Sequence, residues 1–443
     1  MIIGDYMINI TIKDVLEKCN GKLISGDESL ECLSFSKDTR DLKEGDIYLG
    51  IKGANFDGNK FYKDAFAKGA KACILDCNPD EITEYLDKTI VVVPDTIKCI
   101  QILATYKREM YNIPVVAITG SVGKTTTREM IAEILSKKYK VLTPIKNYNN
   151  HIGLPFTLLN LKDETACVLE MGMNHFGEIS LLSKIAKPTI SVITNIGTSH
   201  IGNLGSKENI LKAKLEILDG MNERGILVLS NDDEYLKTVS WPNKVTVSIN
   251  NDSNYIAQRI NDYKFKVNNL KIKNKNITSA FIYNALDAIA VSKLLKVNNR
   301  QIRNVLNNFS NNKKRLQIEK SKSGITIIDD SYNASYESIK VALEVIQKYK
   351  NRKVVVLGDI KELGDKTIEI HQSIGDLITN IDILVTVGEY TKYIKSNTKN
   401  ENFNTNEEAI KYLKMVVRKD DVVLVKASNA MNFEEIVKAL IEI

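Results

Sequence analysis

The sequence predicts an α/β protein in three parts, built mostly on parallel sheet. Short apolar, β-branched runs at 115–118, 167–169, 190–193, 226–229 and 245–247 alternate with helix-spaced stretches, the pattern of parallel strands joined by crossover helices. The alternation resumes at 326–328, 354–357, 383–387 and 422–425, after a polar stretch, NNFSNNKK at 307–314, that reads as a hinge. A chain of 443 residues also exceeds what one core organises, and about 150 residues per unit gives roughly three units.

In order, residues 1–95 form the first unit, closed by Val91-Val92-Val93 ahead of the Pro94-Asp95 break. Ile97, Ile100, Ile102, Leu103 and Tyr106 then space as a linking helix over 96–111, which opens the second unit, 96–312; the third covers 313–443. A helix expected over 207–218 sets Lys214 three and four residues from Leu211 and Ile210 and four before Leu218, on the apolar stripe, unlike Lys207. A lysine there snorkels, is paired or has lost its charge, and a neutral buried lysine can take up CO₂ as a carbamate.

Hydrophobic content of 43% with 26% charged residues fits a soluble enzyme better than a disordered chain. The net charge of +6 is spread along the sequence without a basic arm, so a nucleic-acid partner is not expected. No apolar stretch approaches the ~18–20 residues of a membrane helix, which argues against membrane insertion. The N-terminus lacks a basic region followed by a long apolar core, and Cys19, Cys32, Cys73, Cys77, Cys99 and Cys167 are scattered, as reduced thiols would be. A cytoplasmic monomer is the expectation.

The most informative segment is TGSVGKTTT at 119–127, between an apolar strand and the helix-spaced run from Arg128. A strand, a glycine turn and a helix start make a phosphate cradle: backbone N–H groups face the anion, the lysine reaches the terminal phosphates, and the first threonine hydroxyl can ligate Mg²⁺. Those roles fall on Gly120, Gly123, Lys124 and Thr125, with Thr119, Ser121, Val122 and Thr126 completing the loop. The glycine that the general P-loop carries five residues before its Gly-Lys pair is Ile118 here, so the loop is the shorter TGxxGKT form. Glu170 and His200 each follow an apolar strand, where ligand sites of open α/β sheets lie. Mg²⁺ prefers oxygen, which suits Glu170 better than His200.

TGSVGKTTT, NYNNHIGLP (147–155), EMGMNHFGEI (170–179), TNIGTSHIGNLGS (194–206) with the following AKLEI, DDSYNAS (329–335) and LGDIKELGD (357–365) occur in this order, preceded by KDTRDLKEGDIYLGIKGANFDGNKF (37–61). Together they make the chain resemble the Mur ligases of peptidoglycan assembly over nearly its whole length. The resemblance implies an N-terminal UDP-binding α/β domain, a central P-loop ATPase domain with a mostly parallel sheet, and a C-terminal Rossmann-like domain. It implies ATP-dependent amide ligation: the carboxylate of a UDP-sugar-peptide is phosphorylated, and an amine attacks the acyl phosphate. ATP and Mg²⁺ are the implied cofactors. Carried over by motif, Lys124, Glu170, His200 and Lys214 fall at catalytic positions. Thr125, Glu170 and His200 fall at the magnesium site, and Lys214 on the family's carbamylated lysine. Thr39 and Arg40 match the uridine contacts, and Asn147, Asn150 and His151 the sugar-peptide loop. Asn284 and Arg315 match adenine-nucleotide contacts, and Asp330, Tyr332 and Asn333 lie in the segment facing ATP and the amine. DDSYNAS with LGDIKELG, and the absence of DNPR, point to the branch that joins D-alanyl-D-alanine to UDP-N-acetylmuramoyl-tripeptide.

Three departures from the family pattern stand out. Ala280 and Phe281 replace His-Asn, Ser335-Tyr336 replaces Asn-Pro, and Lys426-Ala427-Ser428-Asn429 replaces Lys-Gly-Ser-Arg. They leave open a Mur-type paralogue that uses a different amine. A nucleotide-gated precursor-binding protein without ligase activity is the third reading, separable by substrate-stimulated phosphate release.

Overall fold

The computed structural model describes residues 9–53, 56–78, 85, 87–145, 147–275, 277–310 and 314–443. Residues 22–92 carry a five-stranded sheet in the spatial order Lys22–Ser25, Thr89–Val92, Ala72–Leu75, Ile47–Leu49, Phe35–Ser36. Its last four strands are parallel and the first is antiparallel.

The second sheet has nine strands. From one edge they run Leu270–Lys273, Lys264–Val267, Tyr255–Asn261, Lys244–Ser248, Ile226–Ser230, Ile190–Ile193, Val115–Thr119, Ala166–Glu170 and Val141–Leu142. All are parallel from Tyr255–Asn261 onward. Val115–Thr119 is the switch point: the next strands in sequence lie on one side of it and the later ones on the other, which opens a crevice beyond its carboxyl end. The strand is buried throughout, and apolar up to Thr119, because both faces are covered. Val115 and Ala117 join the core beneath Thr96–Glu109, Gly153–Leu159 and Glu178–Ala186. Val116 and Ile118 join the core beneath Lys124–Leu135, Ser279–Leu294 and Asn299–Asn308.

The third sheet has six strands in the order Gln317–Lys320, Thr326–Asp329, Val422–Lys426, Lys353–Gly358, Ile383–Val387, Lys399–Phe403, parallel except for the first. The alternating architecture of the second and third units is thus as the apolar runs predict.

Local differences have physical reasons. The antiparallel edge at 255–273 is absent from the sequence reading, which followed continuous apolar runs. There Phe265, Val267, Leu270 and Ile272 are buried and alternate with lysines, as one-sided strands do. The linking helix ends at Glu109, and the helix expected over 207–218 is Lys207–Leu215 followed by a 3₁₀ turn, Glu216–Leu218. The expected hinge overlaps the end of Asn299–Asn308, and its residues 311–313, like residues 1–8 of the first unit, lie outside the described residues. Among the described residues, no helix is long and apolar enough to cross a membrane. All six cysteines are free, five of them buried, with Cys77 exposed.

Candidate active site

The loop after Val115–Thr119 is shaped by its glycines. Gly120 has φ +149°, and a Cβ there would meet Thr194 Oγ1 at 1.9 Å, so only glycine fits. The segment after Ile190–Ile193 braces the loop: Asn195 Oδ1 accepts from Val122 N (3.0 Å) while its Nδ2 donates to Val122 O (2.8 Å), and Gly197 N donates to Ser121 Oγ (2.8 Å). The helix Lys124–Leu135 starts at Gly123, and Thr127 N makes its first backbone bond, to Gly123 O (2.9 Å). The amides of residues 123–126 therefore lie ahead of the helical ladder and face the cavity as anion donors.

Lys124 Nζ lies over the loop and donates to Gly120 O (2.8 Å). Burial lowers its pKa, and the Glu170 carboxylate opposes that shift. Glu170, 3% exposed at the end of Ala166–Glu170, accepts from Thr125 Oγ1 (2.9 Å) and Asn149 Nδ2 (2.9 Å). A hydroxyl and a carboxylate beside free helix amides form an oxygen set that fits Mg²⁺. The described residues hold no cluster of three His, Cys, Asp or Glu side chains able to bind an ion unaided. Mg²⁺ would accordingly take most of its ligands from phosphate and water, as it does in nucleotide sites.

Lys214 is 1% exposed, on the stripe where the sequence puts it. Burial, with the nearby Lys124 ammonium, pushes its pKa well below the ordinary lysine value, and no carboxylate offsets this. His200 sits at φ +65°, and its Nδ1 lies 2.7 Å from Glu362 Oε2 of the third unit. The His200 contact, outweighing burial, holds the Glu362 carboxyl below its usual range.

The third unit closes the cavity from the other side. Arg315 donates to Thr125 Oγ1 (3.1 Å) and stacks on Tyr332, its Cζ 4.1 Å from the ring centroid. Lys314 (φ +62°) and Leu316 (φ +52°) flank Arg315 in left-handed conformations, backbone strain of the kind that concentrates at functional sites. Asp330 accepts from Leu316 N (3.1 Å) and from the buried Lys426 Nζ (2.5 Å). Burial raises the Asp330 pKa and Lys426 counters it. Asn284 reaches the loop from Ser279–Leu294, with its Oδ1 3.3 Å from Thr127 Oγ1.

One cavity of about 670 Å³ is lined by residues 121–126, Asn150, Glu170, His200, Asn284, Arg315, Asp330, Tyr332 and Asn333. The remaining candidates, Asn150 excepted, lie apart from it. Arg40 is exposed and paired with Asp38 (2.6 Å), while Thr39 O accepts from Lys68 Nζ (2.7 Å). Asn147 is exposed, Asn150 Oδ1 caps Gly153 N (2.9 Å), and His151 lines a smaller pocket of about 190 Å³ beside Phe176. Lys214 is buried within reach of the Lys124 charge, and Thr119 is fully buried at the strand end, donating to Met171 O (2.9 Å).

The departures are knitted into local structure. Phe281 packs against Phe265 and Phe309 at centroid distances of 6.3 and 6.4 Å, and Ala280 lines the cavity. Ser335 caps the helix Tyr336–Ile346 in a capping box with Ser338. Asn429 Nδ2 donates to Tyr332 O (3.0 Å). Sequence reasoning quoted Asn149, Asn195, Glu362 and Lys426 inside its motifs without giving any of them a role. Lys426 left a further signal, as a lysine closing the apolar run Val422–Lys426; the roles of the others rest on contacts between distant segments.

These features match a known group. Residues 118–292 fit the model of the Mur ligase middle domain and residues 314–429 that of the Mur ligase glutamate ligase domain. The chain belongs to the Mur ligase family. It is 34% identical to the UDP-N-acetylmuramoyl-tripeptide–D-alanyl-D-alanine ligase of Bacillus subtilis (strain 168), over 98% of this chain and 99% of that one. Among solved structures, MurF from Acinetobacter baumannii superposes with a TM-score of 0.87 at 28% identity, covering 98% of this chain and 99% of the other. MurF ligase from Thermotoga maritima in complex with ADP gives 0.81 at 28% identity, covering 92% and 97%.

Proposed function

We propose that this chain joins D-alanyl-D-alanine to UDP-N-acetylmuramoyl-tripeptide, with ATP converted to ADP and phosphate. The observation that carries the reading is the cavity in which a phosphate loop and a buried carboxylate face Arg315 and the Asp330–Lys426 pair across two units. The full-length likeness to ligases so named supports it.

The γ-phosphoryl group passes to the tripeptide's terminal carboxylate, giving an acyl phosphate and ADP. The amine then adds to the acyl carbon, and phosphate leaves as the amide forms. Lys124, Arg315 and the amides of 123–126 hold anionic oxygens in place for both steps. Thr125 and Glu170, with His200, would hold Mg²⁺, which when bound neutralises charge between carboxylate and phosphate. Lys214, whose burial favours the uncharged amine, is positioned for carbamylation: the amine adds to CO₂ and loses a proton, which turns it into an anionic oxygen ligand. Asn284 and Arg315 serve the adenine nucleotide. Asp330 faces the ATP, and Tyr332 and Asn333 the amine. Thr39 and Arg40 serve the uridine, and Asn147, Asn150 and His151 the sugar-peptide. In this reading 1–95 binds the UDP-sugar, 96–312 the ATP, and 313–443 brings the amine.

The test is phosphate release from ATP and Mg²⁺ with UDP-muramoyl-tripeptide, comparing D-alanyl-D-alanine with a panel of amines. Release that requires D-alanyl-D-alanine, with the pentapeptide product seen by mass, is expected. Because Ser335, Asn429 and Tyr336 stand where the amine docks, release only with another amine would mark a specificity-shifted ligase. Tight nucleotide binding without any release would make the chain a precursor-binding protein.

A further inference from the structure

The ring of His200 is held by a residue from a different unit. Glu362 belongs to the loop after Lys353–Gly358 in the third sheet, whereas His200 follows Ile190–Ile193 in the second. Their side chains meet at 2.7 Å, Nδ1 to Oε2, an ion-pair contact with the carboxylate off the line of the ring N–H, and the His200 side chain is only 21% exposed. The two backbones are locked together beside this contact. Gly202 N donates to Glu362 O (3.0 Å), and a Cβ on Gly202 would meet Gly364 N at 2.5 Å, so the loops touch with no room for a side chain. Both residues of the pair hold left-handed backbones, His200 at φ +65° and Glu362 at φ +66°. Neither is glycine, and such conformations persist only where surrounding contacts enforce them, most often at functional sites.

A carboxylate can only accept. A carboxylate oxygen 2.7 Å from a bare Nδ1 would set two lone pairs against each other, so Nδ1 is the nitrogen that carries the proton, and a neutral ring then keeps on Nε2 the lone pair that a cation requires. A carboxylate behind a metal-binding histidine also fixes the ring's orientation and raises its basicity. Here that support arrives only when the third unit is docked against the second.

We propose that Glu362 is a positioning residue that couples docking of the third unit to cation binding by setting the tautomer and orientation of His200. The inference rests on the cation role of His200 proposed above. It assigns the loop at 359–364 a task distinct from holding substrate: a separated third unit leaves His200 free to rotate, so the cation site matures only as the units come together.

The experiment measures Mn²⁺ affinity by electron paramagnetic resonance on the full chain with a non-hydrolysable ATP analogue, alongside ¹⁵N NMR of the His200 ring. Glu362→Ala should weaken Mn²⁺ binding about 10-fold and let the His200 ring populate the other tautomer. Affinity for the analogue without metal should be unchanged. Glu362→Gln, which still accepts through its amide oxygen, should recover most of both readouts. His200→Ala should weaken Mn²⁺ at least as much as Glu362→Ala, and the double variant should be no weaker than His200→Ala alone. If His200→Ala weakens Mn²⁺ but Glu362→Ala leaves affinity and tautomer as in the wild type, the coupling is refuted while the cation role of His200 survives. If His200→Ala has no effect on Mn²⁺, both are overturned.

Discussion

At the residue scale, the most consequential side chains are charged groups that the fold has taken out of water. Asp287, in Ser279–Leu294, is 2% exposed, and its Oδ1 has no hydrogen-bond partner. Burial raises its pKa well above 3.8, so the folded chain binds this proton more tightly than the unfolded chain does. Stability is therefore full below the unfolded value and lost as pH rises toward the folded one, at about 1.4 kcal/mol per pH unit. Asp287→Asn should raise the urea-unfolding free energy by about 1–3 kcal/mol at pH 7.5 and change it little at pH 4. An equal change at both pH values would mean that the carboxyl is ionised in the fold. Lys124 and Glu170 make the opposite case, since in the proposed chemistry their burial serves the reaction. Alanine at either should cut turnover by about 100- to 1,000-fold with the circular dichroism spectrum unchanged, and near-normal rates would sink the proposed chemistry. Lys214→Ala should be comparably slow and regain part of its rate with added short carboxylic acids, which can stand in for a carbamate. Added acid without effect would argue against a carbamate on Lys214.

At the element scale, the helix Tyr336–Ile346 is a clasp. Glu337 and Glu344, seven residues and about two turns apart, project from one face and reach the second unit at two places. Glu337 accepts from Thr198 N (2.8 Å) and Thr198 Oγ1 (3.0 Å). Glu344 accepts from Ser279 N (3.2 Å) and Arg259 NH1 (3.2 Å). Ser279 opens a helix, so Glu344 also meets the positive end of its dipole. Replacing both glutamates with alanine should enlarge the radius of gyration in X-ray scattering without nucleotide and raise KM for ATP several-fold, with little change once ATP saturates. A radius unchanged from wild type would show that other contacts suffice. Such a clasp is illegible in the sequence, because two exposed-looking glutamates on an amphipathic helix read as a solvated face. What was legible is what local chemistry dictates. The strand–turn–helix around Gly120 and Lys124 needs glycine and lysine at fixed spacing, and the placement of Lys214 on an apolar stripe followed from helical periodicity. The lysine-alternating strands at 264–273 were missed because an edge with one covered face lacks a continuous apolar run.

At the scale of the molecule, order along the chain revealed the motifs, yet the cavity is made by segments far apart in it. Arg315 lies on Thr125 and Glu362 on His200, pairings that no sequence spacing encodes. The left-handed residues around Arg315, and at His200 and Glu362, are equally hidden, since neither lysine, leucine, histidine nor glutamate advertises a positive φ. The arrangement separates the two proposed ligand sites. Residues 121–126, Asn284 and Arg315 line the cavity between the second and third sheets, while Thr39 and Arg40 sit on an exposed loop of the first unit, next to the short strand Phe35–Ser36. A ligand protects the amides it touches and those of the elements it locks. In hydrogen exchange on the full chain, ADP with Mg²⁺ should therefore slow exchange at 119–126, 279–284 and 314–335, and leave 35–75 at the free rate. UDP-N-acetylmuramoyl-tripeptide alone should slow 36–41 and 147–155 first. Protection of 35–75 by ADP would break the division of labour between the first and second units, and protection confined to 119–126 would mean that the third unit does not grip the nucleotide through Arg315. Protection of both sets only when the two ligands are present together would instead place the coupling in docking of the units, the condition that the His200–Glu362 pair requires.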